Sequence, residues 1–529
     1  MTSSITDAPD RAWGRWVALV FVLALSAAWE SLFLFRGLNQ VDEGWPLYAA
    51  MQLHAGGTLY RDVFFVFPPG HVLSAWIGLA LDPPGLVGAR VLYAAFNVAL
   101  CGALYLLARR LMPPGWALLG ACLIAVAAPN SHLQQLLFGY RYLVFPVLAL
   151  LAFSERLRTG DGRWLVLAGV LVGVATCFRI DSGAAAAAGL GLGVLASGPS
   201  WNARFRDVAA LAAGACLALA PVLAWLFASV GPETVWREVV VRPVAMTALQ
   251  EKPIPPLSWP TPWHAYYVVQ TFVALLFRVG LLLYAAYAVA LGALWVRELR
   301  AGRRGPAPLL LATAGFGGVF FVRSLGRSDE AHLMSAIPPL CLLFGHLFAS
   351  GFASLRWAGS PLGRSTQIAW AIAFLGVWTY GAGSQRVFSP TWRGTEPVRA
   401  LDGRVVVRPG HLWLDPTIEA IVAATGPDER ILVLGPESLF YVLSGRRGPG
   451  HADVIMPGTF LDESEELAFL ARLEESPPAL VVVPRLPFDL MASRAVSRQA
   501  PSLARWIRRR YVEHTVGERY TLLRWDPNP

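Results

Sequence analysis

Lysine is almost absent from this chain: of 44 basic residues, Lys252 is the single lysine and all others are arginine. Charge of either sign is scarce, at 15% of 529 positions, where a soluble domain carries about a quarter. With 55% hydrophobic residues and a mean hydropathy of +0.49, the chain has too little polar surface to cover itself in water. Those shortages exclude a soluble enzyme and define an integral membrane protein. The net charge of +9 gives no nucleic-acid surface, because the arginines fall in short clusters between apolar runs, where they set topology. Five cysteines (Cys101, Cys122, Cys177, Cys216, Cys341) lie in apolar stretches, and none forms a CxxC pair, so disulfides and thiolate metal sites are not expected. No HExxH or nucleotide-binding glycine pattern occurs.

What remains is apolar runs. Candidate spans cover 14–35, 86–108, 115–129, 136–153, 164–178, 182–198, 207–229, 268–296, 307–322, 332–352 and 366–383, about eleven in all. The first is too long for a signal-peptide core and reads as a retained span. The stretch 70–81 ("GHVLSAWIGLAL") is too short to cross and suits a helix lying at the interface. If the N-terminus is cytoplasmic, Arg109/Arg110, Arg156/Arg158/Arg163, Arg204/Arg206, Arg297/Arg300/Arg303/Arg304 and Arg356/Arg364 all fall inside. An odd number of spans then places the loop 37–85, the loop 230–266, residues 323–332 and the C-terminal tail outside the cytoplasmic membrane. The chain divides into a transmembrane part, 1–384, and an extracytoplasmic α/β domain, 385–529. In the latter, "RILVLG" and "ALVVVP" read as buried strands, 463–476 and 500–511 as amphipathic helices, and 519–525 as a late strand. The alanine- and glycine-rich 184–195 reads as close helix packing.

The polar residues converge on the outer face. Asp42-Glu43 opens the first outer loop, followed by Arg61, Asp62 and His71. A carboxylate held against low dielectric becomes a better proton acceptor than it is in water. Adjacent helical residues point apart, so one of the pair faces a site while the other binds a backbone group, a cation or a metal. "CFRIDSG" sets Arg179 and Asp181 at a span end, as a site or as a structural ion pair. "RSLGRSDEAH" packs Arg323, Arg327, Asp329, Glu330 and His332 between two spans, where charges must line an aqueous cavity or one another. Arg141 near the outer mouth reads equally as a snorkelling side chain. The Pro- and Trp-rich loop 230–266 suits a flap over a lipid or an interfacial belt.

An Asp-Glu just after the first span, then "YAAMQLHAGGTLYRDVFFVFPPG" and "GLVGARVLYAAFNVALCGALYLLARR", resembles the membrane-embedded GT-C glycosyltransferases, nearest to the protein-mannosyltransferase-like (family 39-like) and aminoarabinose-transferase-like branch. The resemblance is good over 14–200, looser to 383 and absent from the tail. It implies a multi-pass α-helical GT-C fold and inverting transfer of a sugar from a polyprenyl-phosphate donor to a lipid, glycan or protein acceptor, on the outer face of a bacterial inner membrane. It further implies Asp42 as general base with Glu43 as its partner, an interfacial helix beginning at His71, and a counterpart for Arg90 in the arginine opening the next span. A polyprenyl phosphate is a good leaving group, and arginine suits its charge. Arg61, His71, Arg90, Arg179, Arg327, Asp329 and His332 are therefore the candidate substrate-binding residues. No metal ligands are assigned, and use of Mg²⁺ or Mn²⁺ stays open. The rival readings are a lipid-linked glycan polymerase or ligase, and a transporter or scaffold. A transporter would put charges at the midplane of related halves, and these charges sit near the interface.

Overall fold

The computed structural model describes residues 9–82, 85–127, 141–197, 200–257, 265–300, 308–354 and 394–528. Apolar runs dictate its helices, because backbone amides in lipid find partners only within the segment. The first part carries α1 (Pro9–Ser31), α2 (Gly44–His54), α3 (Gly70–Leu81), α4 (Leu86–Leu111), α5 (Pro114–Ala127), α6 (Val144–Thr159), α7 (Arg163–Phe178), α8 (Ile180–Ser197) and α9 (Trp201–Val230). After α9 come α10 (Pro232–Trp236), one π-helical turn at Arg237–Val241 and α11 (Arg242–Leu249), then α12 (Ala265–Arg300), α13 (Pro308–Leu325) and α14 (Glu330–Ser354).

Among the described residues, six helices are long and apolar enough to cross a membrane: α1, α4, α8, α9, α12 and α13. The other expected runs form helices too, but α5, α6 and α7 are only 14–16 residues long, and α14 contains Pro338 and Pro339. The run at 366–383 lies outside the described residues. Residues 70–81 form a separate short helix, α3, as their length requires.

Small residues set the helix spacing. A Cβ built on Gly189 of α8 would overlap the carbonyl oxygen of Ala312 in α13, the close approach expected of an alanine- and glycine-rich face. At one end of the bundle, ion pairs join Arg110 to Glu155, and Arg156 to Asp207 at 3.0 Å. At the other end, Arg141 holds Glu30 at 2.7 Å. That second end also carries α2, α3, the link between α13 and α14, and the C-terminal region; it is called the tail face below.

The C-terminal region is an α/β unit. Two short strands, β1 (Glu396–Pro397) and β2 (Val406–Val407), pair antiparallel. Then β3 (Ile431–Val433), β4 (Leu480–Pro484), β5 (Tyr511–Val516) and β6 (Tyr520–Trp525) form a sheet in the order β3-β4-β6-β5. The β3–β4 pair is parallel and the others are antiparallel. Alternate residues of β3 and β4 are buried on opposite faces, which explains their unbroken apolar runs. Ile431, Val433 and Val482 pack with Ile418 and Phe440, while Leu432 and Val481 pack with Phe469, Leu503 and Ile507. Expected helices and strands occur at Glu463–Glu475, Pro501–Arg510, β3, β4 and β6. The strand β5 was not expected, because "YVEHTV" is exposed at every position but Tyr511 and carries no alternating apolar signal.

Candidate functional site

The chain leaves α1 and turns sharply before α2, and Asn39 makes that turn. Its side-chain oxygen accepts from the backbone N–H groups of Val41 (3.1 Å) and Asp42 (2.9 Å), the local closure that asparagine favours. Its Nδ2 donates to Asp42 Oδ2 at 2.7 Å, and its own backbone N–H donates to Glu43 at 3.0 Å. The two neighbouring carboxylates diverge from there.

Glu43 is fully buried and takes both arms of Arg90, from Nε to Oε1 and from Nη2 to Oε2, each at 2.8 Å. Arg90 also donates to the carbonyls of Leu34 (2.8 Å) and Gly37 (2.7 Å) and is 1% exposed. Its guanidinium is thus occupied in holding the loop 34–43 and is closed to a ligand. Asp42 keeps 9% exposure, and among the described residues its Oδ1 makes no hydrogen bond. Burial pushes its carboxyl up to about 7, against Asn39 and Arg327, which favour the charged form; Glu43 and Asp329 add to the rise.

Arg327 stands in the link between α13 and α14. It reaches Asp329 (2.9 Å), the Gln250 side-chain oxygen (2.7 Å) and both oxygens of Asp489 (3.1 and 2.9 Å). Lys252 lies 3.2 Å from Asp489 and 3.6 Å from Asp329, and Arg494 also pairs with Asp489. The Asp329 carboxylate lies 2.6 Å from His332 Nδ1 and accepts from it when that nitrogen carries the proton; His332 and Arg327 hold the carboxyl well below the usual range despite its burial. A second group lies at the α7–α8 junction, where Asp181 pairs with Arg179 (3.0 Å) and Arg323 (2.8 Å), and Arg179 sits 4.8 Å over the Phe67 ring. His71 is buried among Phe67, Tyr93, Tyr142 and Phe178. Its Nδ1 is 2.6 Å from the Tyr93 hydroxyl. Burial, with Arg179 nearby, pushes its imidazole down to about 3, so it stays neutral.

The expected residues therefore fall into three settings. Arg327, Asp329 and His332 are brought together, near enough for Arg327 and Asp329 to act on the charge of Asp42; Arg179 and His71 form the adjoining group; Glu43 and Arg90 brace the loop from behind. Arg61 is not brought in, since it pairs with Asp62 at 3.1 Å on the exposed rim. Sequence reasoning passed over Asn39, Lys252, Asp489 and Arg494. Only Lys252 carried a signal, as the single lysine in a chain that otherwise uses arginine. Among the described residues no three or more His, Cys, Asp or Glu side chains converge as metal ligands.

Known proteins share the fold. Residues 66–227 match the family model described as dolichyl-phosphate-mannose-protein mannosyltransferase. Among solved structures the chain is similar to ArnT from Cupriavidus metallidurans in the apo state, at 18% identity and a TM-score of 0.52 over 97% of this chain and 98% of that one. The same protein bound to undecaprenyl phosphate gives 16% and 0.53 over the same shares. The archaeal oligosaccharyltransferase AglB from Archaeoglobus fulgidus, in complex with an inhibitory peptide and a dolichol-phosphate, gives 12% and 0.53 over 90% of this chain and 70% of that one. No curated protein matched the chain. The fold is that of the GT-C membrane glycosyltransferases. The part of the chain that matches the mannosyltransferase family model, residues 66–227, runs from before α3 through most of α9, and the fold as a whole is similar to that of ArnT.

Proposed function

We propose that this protein is a glycosyltransferase that moves a sugar from a polyprenyl-phosphate donor to an acceptor hydroxyl, with inversion, at the tail face. The observation that carries the reading is Asp42: a carboxyl raised by burial to about 7, held by Asn39 through one oxygen and lying in the field of Arg327 and Asp329. Two solved structures of the same fold were determined with undecaprenyl phosphate or a dolichol-phosphate bound, which supports a donor of that class.

In this reading Asp42 takes the proton of the acceptor hydroxyl as its oxygen forms the new bond to the anomeric carbon. The carbon–oxygen bond to phosphate breaks with its electron pair on the departing polyprenyl phosphate. Arg327 and Lys252, with Arg494, outnumber Asp329 and Asp489, and this net positive charge offsets the negative charge that gathers on the phosphate. Arg179 and Arg323 extend the positive lining toward His71. Glu43 and Arg90 act as positioning residues that fix the loop bearing Asp42. These fixed cations supply the charge that Mg²⁺ or Mn²⁺ would otherwise bring, and loss of transfer on chelation by EDTA would show the assignment to be incomplete.

The arginine-rich helix ends lie opposite the tail face, so the positive-inside rule puts the tail face outside the cytoplasmic membrane and the N-terminus inside. The acceptor is a lipid, glycan or protein hydroxyl in that outer compartment. The test is release of polyprenyl phosphate from a polyprenyl-phosphate-sugar in membranes carrying the wild type or Asp42→Asn. The variant should be silent at normal abundance, and unchanged turnover removes Asp42 as the base.

A further inference from the structure

The C-terminal unit carries an oily tip in an unusual place. In "RLPFDLM" (485–491), Leu486, Leu490 and Met491 are 51%, 75% and 41% exposed. Asp489 and Leu490 both hold positive φ, 54° and 60°, a conformation that side chains other than glycine rarely adopt. The strain is held by the Asp489 carboxylate, which is fixed by Arg327, Lys252 and Arg494. The tip is thus inverted relative to a soluble loop, with its charge locked inward and its leucines turned out. The facing segment repeats the pattern: Lys252 and Gln250 point into the cluster while Leu249 and Leu257 are half exposed.

The height of the tip follows from its anchor. Arg327 lies in the short link between α13, which ends at Leu325, and α14, which begins at Glu330. α13 is long and apolar enough to span a membrane, so its end marks the membrane surface. Asp489 is 2.9 Å from Arg327, and Leu490 is the next residue, about 3.8 Å further along the backbone. An exposed leucine at that level meets the boundary between headgroups and acyl chains, where apolar side chains sit roughly 5–10 Å deep.

We infer that residues 486–491 form a lip of the C-terminal unit that dips into the membrane leaflet on the tail face, beside the Arg327–Lys252 cluster. Its partner is the acyl-chain region of that leaflet. The lip couples the tail to the lipid from which a polyprenyl-linked donor would arrive; this last clause rests on the proposed function, whereas insertion itself does not.

The test uses the full chain with its five native cysteines replaced by alanine and one cysteine introduced at Leu490, labelled with an environment-sensitive dye and reconstituted in phosphatidylcholine–phosphatidylglycerol vesicles. A matching label at His514, on the exposed strand β5, is the control, and labels at Leu486 and Met491 guard against a variant that fails to fold. Lipid carrying a shallow nitroxide should quench the dye at 490 at least twofold more than at 514, and aqueous iodide should do the reverse. Iodide quenching at 486, 490 and 491 equal to that at 514, with no nitroxide effect, overturns the lip. That outcome leaves the sugar-transfer reading standing, because no step of the measurement uses transfer.

Discussion

At the residue scale, the proposed reaction turns on how one of two adjacent carboxylates is left with work to do. Glu43 is held by the bidentate Arg90, and its charge adds to the rise at Asp42 that burial dominates. Among the described residues Asp42 has only Asn39 as a close side-chain partner, and burial raises its carboxyl from 3.8 to about 7. A general base works deprotonated, so kcat/KM should rise with pH through about 7 and level off above it, and Asp42→Asn should abolish that limb while lowering the rate about 10²- to 10⁴-fold. A radiolabelled donor assay across pH 5 to 9 checks both outcomes. Stability should move the other way. The folded state holds the proton more tightly than the unfolded chain, so the Asp42 contribution is fully present below about 4 and declines as pH rises toward 7. Asp42→Asn should therefore leave Tm at neutral pH unchanged or higher. The split between Asp42 and Glu43 was legible in the sequence, because neighbouring side chains in a turn or helix cannot face one site. Asp489 and Arg494 were not legible, since they reach Arg327 and the 250–252 segment from more than 150 positions away and have no local pattern.

At the element scale, the loop from Ser31 to α2 is positioned by one arginine from the next span. Arg90 joins the carbonyls of Leu34 and Gly37 to the Glu43 carboxylate, so the start of α4 clamps both ends of the turn. Removing one partner of such a buried pair leaves an uncompensated charge, at a cost of about 3–5 kcal/mol. Arg90→Ala should accordingly lower the thermal midpoint in detergent and lose activity together with folded protein. Arg90→Lys should recover little, because an ammonium cannot reproduce the two-armed contact. A variant with normal Tm and a selectively raised donor KM would instead return Arg90 to the phosphate. Six of the expected spans were legible from hydropathy as helices of crossing length among the described residues, but helix ends were not: α6 begins at Val144, inside the run expected from 136. Hydropathy records which residues tolerate lipid, and the start of a helix is set by turn and capping contacts that it does not encode. The π-helical turn at 237–241 is of the same kind. Its Glu238 pairs at 2.7 Å with Arg242, the first residue of α11, and Arg242 also holds Glu465 of the tail, a long-range reason for a local irregularity.

At the scale of the whole molecule, the C-terminal region looks separable in the sequence, by its composition, and is not separable in the packing. Leu38, Leu47 and Tyr48 from the first loop and α2, with Leu86 from α4, share one buried cluster with Val398, Leu414, Ile418, Leu439 and Phe440. Tyr48 stacks on Tyr441 with ring centroids 4.5 Å apart, and a Cβ on Gly44 would overlap the backbone of Leu439. Polar ties repeat the join: Gln52 to Asp453 at 2.7 Å, and Leu439 N–H to the carbonyl of Gln40 at 3.2 Å, two residues from Asp42. The floor of the site is therefore the shared core of both parts, and the tail cannot act only as an acceptor-selecting appendage. Cutting the chain after residue 393 exposes Leu38, Leu47, Tyr48 and Leu86 to water, at about 1.5–3 kcal/mol for each large side chain laid bare. The truncated protein should show a depressed Tm and broadened elution in detergent, and should lose transfer to every acceptor. A truncated protein that elutes as a single sharp species at the wild-type Tm, and has lost only some of its acceptors, would mean that the loop bearing Asp42 holds its shape alone and that the tail merely selects what it glycosylates.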